Sequence, residues 1–111
     1  MSRTHNLGEF EQVVLLSILR LGDTADGVPI RAEIAKHTGR STTPGALYTT
    51  LERMEDKGFV TSRIGDPTPE RGGRAKRYYK VSASGLRAVK RAQRAYQSLL
   101  QGLEIMGGCS A

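Results

Sequence analysis

Ser41-Thr42-Thr43-Pro44-Gly45-Ala46-Leu47-Tyr48-Thr49-Thr50-Leu51-Glu52-Arg53-Met54-Glu55-Asp56-Lys57-Gly58-Phe59-Val60 is the most strongly punctuated stretch of this chain. Three consecutive hydroxyl residues offer caps for a helix start, and Pro44 follows in a first-turn position, where a missing N–H costs nothing. Leu47, Leu51 and Met54 recur at helical spacing and define one buried face. Tyr48, Thr49, Glu52 and Arg53 fall off that stripe. Gly58 suits the left-handed geometry that ends a helix. The spacing predicts a helix whose first turn is built of small residues and whose far face is free.

Upstream, Glu9 to Leu21 carries Phe10, Val13, Val14, Ile18 and Leu21 at helical spacing, with acids at its start where the helix dipole favours them. Leu15, Leu16 and Leu19 widen the stripe, so burial on more than one side is expected. Gly22 to Gly27 is a turn-rich stop. Pro29 to Thr38 reads as a short second helix, with Ile30 and Ile34 inward and Gly39 just past its end. The short Gly39–Thr43 link then makes a helix-turn-helix.

Downstream, Phe59 to Ile64 and Lys76 to Val81 read as strands. The Gly65 to Arg74 segment between them holds two prolines and three glycines, which forbid regular structure. The unit is a β-hairpin with a long basic tip. Tyr78 and Tyr79 alternate faces, so one of them is core. Ser82 or Ser84 caps a last helix running to about Met106. Along it Val89, Ala92, Tyr96, Leu99, Leu103 and Met106 alternate spacings of three and four, an a/d seam. That seam either packs on the first helix or meets its copy in a dimer; so small a core favours the dimer. The order of elements defines an α+β, mainly α, winged helix-turn-helix domain over residues 1–81, with its wing at about 65–76. A dimerisation helix follows over 82–106 and a tail over 107–111.

Composition narrows the function. The 111 residues hold 17 Lys+Arg against 11 Asp+Glu, a formal net charge of +6. Arg71, Arg74, Lys76, Arg77 and Lys80 lie within ten residues that contain no acid, and Arg87, Lys90, Arg91 and Arg94 follow. One-sided basic charge points to a polyanion, and double-stranded DNA is the usual one. An α-helix fits the DNA major groove, and a small-residue N-terminal turn permits close backbone approach and phosphate binding by free N–H groups. Ser41, Thr42, Thr43, Gly45, Tyr48, Thr49 and Arg53 are therefore candidate DNA contacts. Arg53 has a rival role as partner of Glu52, Glu55 or Asp56. The wing adds Arg71, Arg74, Lys76 and Arg77, and the last three are the stronger candidates because no nearby acid neutralises them.

Other classes find little support. The longest apolar run, Val13 to Leu16, is four residues, far short of a membrane span. The first residues lack the apolar core of a signal peptide, so a cytoplasmic protein is expected. Cys109 is the single cysteine, and His5 and His37 stand apart, so neither a disulfide framework nor a metal site is expected. Gly72-Gly73 is followed by no Gly-Lys-Ser/Thr, and no nucleophile–base pair supports an enzyme. No cofactor is expected.

The residues also carry a resemblance. Gly45 to Val60 resembles the recognition-helix signature of PadR-like transcriptional regulators. Gly73-Arg74-Ala75-Lys76-Arg77-Tyr78-Tyr79-Lys80-Val81-Ser82-Ala83-Ser84-Gly85-Leu86 resembles that family's wing and its entry into the last helix. The likeness runs from about Leu7 to Leu103. It implies a homodimeric repressor of the short subfamily that binds a palindromic operator, with Tyr48 on DNA and the wing basics on the flanking backbone. The family often has Pro after that tyrosine, whereas this chain has Thr49. Some members of the family it resembles bind small aromatic or drug-like molecules at the dimer interface, so an unidentified small-molecule effector is a candidate partner. The chain has no tryptophan to sandwich a flat ligand, and Phe10 and Tyr96 are the aromatics on the two helices such a pocket would use. Their default role is packing. Two rivals remain: a winged-helix module that binds protein, and a nonspecific architectural DNA binder.

Overall fold

Helix α1 spans Glu9–Leu21, as its periodicity predicts, in a computed structural model that describes residues 7–65 and 76–103. Val14, Leu15 and Ile18 are buried, while Phe10, Val13 and Leu21 are half-buried. Leu16 and Leu19 remain 38% and 43% exposed. The widened stripe is therefore met in part: Leu15 is fully buried, whereas Leu16 and Leu19 face outward. A single 3-10 turn, Gly22–Thr24, leads to α2 at Gly27–Thr38. This helix starts before the Pro29 cue. Asp26, extended at φ −111°, is its N-cap, and Pro29 falls inside the first turn, where no N–H is needed. Gly39 ends it at φ +72°, the left-handed region in which glycine has no steric penalty.

Helix α3 runs over Pro44–Asp56. Of the three candidate hydroxyls, Thr43 is the cap: its oxygen accepts from the Ala46 N–H at 3.1 Å. Leu47, Leu51 and Met54 are fully buried, with Thr50 beside them. They join Val14, Leu15, Ile30, Ile34 and Val60 in the core. Strands β1 (Val60–Ile64) and β2 (Arg77–Val81) form an antiparallel pair in the register Val60↔Val81 to Ile64↔Arg77. Tyr79 is the tyrosine turned into the core. Its N–H donates to the Ala25 carbonyl at 2.9 Å, which ties the turn before α2 to the free edge of β2. The wing tip carrying Arg71 and Arg74 lies outside the described residues.

Helix α4 spans Ala83–Leu100. Ser82 is its cap: its hydroxyl accepts from the Gly85 N–H at 3.0 Å and donates to the Gly58 carbonyl at 2.6 Å. Only the first half of α4 packs on the domain, through Gly85, Ala88 and Val89. Val89, expected in the dimer seam, is thus a core residue of its own chain. Residues 93–99 are all exposed. The helix also stops short of the expected Met106. Gln101 leaves helical geometry and Gly102 turns the chain at φ +80°, so Leu103 lies beyond the helix end. Met106 is outside the described residues.

The junction of α4 with the sheet leaves no room for a side chain at Gly85. A Cβ there would collide with the Phe59 carbonyl oxygen and lie 3.0 Å from its carbon. Backbone cannot swing aside as a side chain can. Gly85→Ala is expected to destabilise the fold by about 1–3 kcal/mol, the usual cost of overpacking, read as a lower urea midpoint with unchanged slope.

Candidate nucleic-acid interface

Burial of Leu47, Leu51 and Met54 turns the opposite side of α3 outward. Gly45, Ala46, Tyr48, Thr49, Glu52 and Arg53 are exposed there, as are Ser41 and Thr43 just before it. The N-terminal turn thus offers small side chains, hydroxyls and free N–H groups with no carboxylate among them. Glu52, Glu55 and Asp56 lie toward the other end. That polarity would set the anion-binding end of the helix toward DNA and its acidic end away.

Thr42 departs from the expectation. Its residue is buried, and its hydroxyl has no hydrogen-bond partner among the described residues. Its carbonyl accepts from Arg31 Nε at 2.7 Å. Thr42 is therefore a packing element of the α2–α3 turn, clamped by Arg31 of α2, and its side chain is not offered to a ligand. Arg40 in the same link stacks 5.2 Å from the Phe10 ring centroid and reaches Glu9 at 3.4 Å.

Arg53 pairs with none of its neighbours on α3. Its Nε lies 3.3 Å from Glu11 Oε2 on α1, which Lys57 Nζ also approaches at 3.2 Å. The other Glu11 oxygen accepts from the Gly8 N–H at 2.9 Å. Burial alone would push this carboxyl up. The Gly8 N–H, Lys57 and Arg53 together outweigh burial and hold it below the usual glutamate value. Glu11 is thus a bolt between α1 and the C-terminal half of α3.

The wing root is similarly committed. Lys76, which has no acid near it in sequence, lies 3.6 Å from the buried Asp26. Arg77 donates to Ser62 Oγ at 3.0 Å, and Ser62 donates to Glu55 at 2.9 Å, a relay from β2 through β1 to α3. Arg77 stays exposed and can turn toward a phosphate; Lys76 has about a quarter of its side chain open to solvent. Sequence reasoning missed Glu11, Asp26 and Arg31, because each partner lies on another element. Their only local signals were the helix-start positions of Glu11 and Asp26.

A separate groove of about 470 Å³ runs between α1 and α2, lined by Val13, Leu16, Leu19 and Ile34, with Arg20 and His37 at its rim. Neither Phe10 nor Tyr96 lines it. Among the described residues no three His, Cys, Asp or Glu side chains gather as metal ligands, and no helix is long and apolar enough to cross a membrane.

Helix-turn-helix, two-stranded wing and an exposed, small-residue α3 turn define a winged-helix DNA-binding fold. Comparison with known proteins gives the class a family. Residues 15–91 match the transcriptional regulator PadR-like family. Transcriptional regulator Rv3488 of Mycobacterium tuberculosis is 35% identical over 86 residues, covering 76% of this chain and 72% of that protein. The chain belongs to the PadR-like family of transcriptional regulators, which are not enzymes. Solved structures agree on the fold. A transcriptional regulator from Clostridium thermocellum superposes with a TM-score of 0.67 at 20% identity, over 82% of this chain and 85% of that one. A PadR family regulator from Clostridium difficile gives 0.64 at 20% identity, over 92% and 99%. A winged-helix DNA-binding protein from STIV gives 0.67 at 13% identity, over 88% and 98%.

The Glu11 bolt makes stability pH-dependent with a definite sign. Its folded pKa lies below its unfolded value, so its contribution is present above the unfolded value and is lost as pH falls through the folded one. Glu11→Gln is expected to lower the urea midpoint at pH 7, and the gap from wild type should close as pH falls below the usual glutamate range.

Proposed function

We propose that the protein is a cytoplasmic homodimeric repressor that reads a palindromic operator with paired α3 helices. The outward face of α3 beside the basic wing is the observation that carries this reading. Ser41, Thr43, Gly45, Tyr48 and Thr49 meet the major groove and its phosphates. Arg71, Arg74 and Arg77 hold the flanking backbone from the wing. Arg53 and Lys76 contribute charge near the surface while bonded to Glu11 and Asp26. A twofold dimer would place its half-sites about one helical turn apart, ~34–36 Å.

Two uncovered apolar faces support the dimer. Tyr96, Leu99 and Leu103 are 50%, 74% and 47% exposed at the free end of α4, and Leu16 and Leu19 are uncovered on α1. Ala92 is half-buried between the two halves of α4. Exposed leucines in such number are costly to leave in water, and a second copy would cover both faces. A small-molecule effector would act by altering the spacing of the two α3 helices.

Fluorescence anisotropy with duplex DNA from upstream of the protein's own gene, against a scrambled duplex, tests the reading. Tighter binding to the native duplex, with log affinity falling linearly in log salt, is expected. Equal affinity for both duplexes would indicate an architectural binder, and no binding to either a protein-partner module. Leu99→Glu is expected to yield a monomer by light scattering. A dimer that survives it would place the interface elsewhere.

A further inference from the structure

Tyr48 does not project freely from α3. Its ring lies against the first residue of α2, Gly27, so closely that a Cβ at Gly27 would collide with the Tyr48 hydroxyl and lie 3.0 Å from Cζ. Gly27 is helical and needs no left-handed backbone, so its lack of a side chain serves no turn. The tyrosine nevertheless stays 48% exposed, and its hydroxyl makes no hydrogen bond among the described residues. The hydroxyl end of the side chain thus rests on protein, while the hydroxyl's bonding capacity stays unspent among the described residues.

The same turn holds the wing. Ala25 accepts from the Tyr79 N–H, and Asp26, buried with one carboxylate oxygen unpartnered among the described residues, draws in Lys76. Three consecutive residues thus touch the wing root and the exposed tyrosine of α3. We infer that Gly27 is a positioning residue for DNA recognition: by lacking a side chain it lets the hydroxyl end of Tyr48 rest on the start of α2, which fixes how the exposed tyrosine is presented to DNA. The inference rests on the DNA-binding reading above and adds to it a residue that itself touches no DNA.

The three atoms nearest to a side chain placed here all belong to Tyr48. Alanine is a better helix former than glycine, and the colliding atoms are the far end of a side chain that can rotate away. Gly27→Ala therefore keeps the fold and moves the tyrosine. The expected result is an unchanged or raised urea midpoint, shifted Tyr48 ring resonances in the free protein, and affinity for the upstream duplex lowered about fivefold, the effect of one misplaced hydrogen bond. Tyr48→Ala should weaken binding to a similar extent. In the Tyr48→Ala background, Gly27→Ala should cause no further loss, an outcome that a general structural defect would not give. Wild-type affinity for Gly27→Ala, wild-type affinity for Tyr48→Ala, or losses that multiply in the double variant would each overturn the inference. Unmoved Tyr48 resonances would overturn it without reference to DNA. Failure of the wild-type protein to bind any duplex would instead overturn the DNA-binding reading, a result the variants cannot mimic.

Discussion

Burial of one stripe on α3 is the constraint from which the rest of the domain follows. A helix of this length does not hold its shape alone in water; it needs an apolar face to bury. Leu47, Leu51 and Met54 supply that face and are fully covered by the core. Once they are inward, helical geometry leaves no choice about the other side: Gly45, Tyr48, Thr49, Glu52 and Arg53 must face out. The face proposed to read DNA is thus the complement of a packing requirement. Thr43 sets where the helix begins, and so which residues occupy the turn with free N–H groups.

Charge follows a different rule. A count of basic residues overstates what the surface offers a polyanion, because two acids face inward and claim partners. Glu11 engages Arg53 and Lys57, and Asp26 engages Lys76. A buried carboxylate without a cation is expensive, so these pairs are demanded by the placement of the acids. Their effect is mechanical. Glu11 locks α3 to α1, Asp26 locks the wing to α2, and the Arg77–Ser62–Glu55 relay links wing and α3 directly. The parts facing DNA in the proposed complex are therefore held in one frame.

The last helix serves two environments. Its first half, through Gly85, Ala88 and Val89, belongs to the domain core. Its second half carries Tyr96 and Leu99 into solvent. The transition explains why a continuous heptad-like pattern was misleading at its start: Val89 fits the seam's spacing but is consumed by its own chain. At the other end Gly102 closes the pattern before its last members.

Most of the fold was legible in the sequence because its signals are local. Caps, glycine stops and apolar periods at Glu9–Leu21, Thr43–Gly58 and Ser82 onward depend on neighbours a few residues away. The same pattern marked the outward face of α3, and strand alternation placed one of the two tyrosines of β2 inward; packing made it Tyr79. What the sequence could not decide were contacts between elements far apart along the chain. Thr42 turned inward under Arg31, Lys76 met Asp26, Arg53 reached Glu11, and Gly27 received the Tyr48 ring. Each depends on how helices and strands approach one another, and that is settled only when the shared core is packed. Local bonding determines where each element begins, ends and hides its apolar side; long-range packing alone decides which polar groups on the outside are left free.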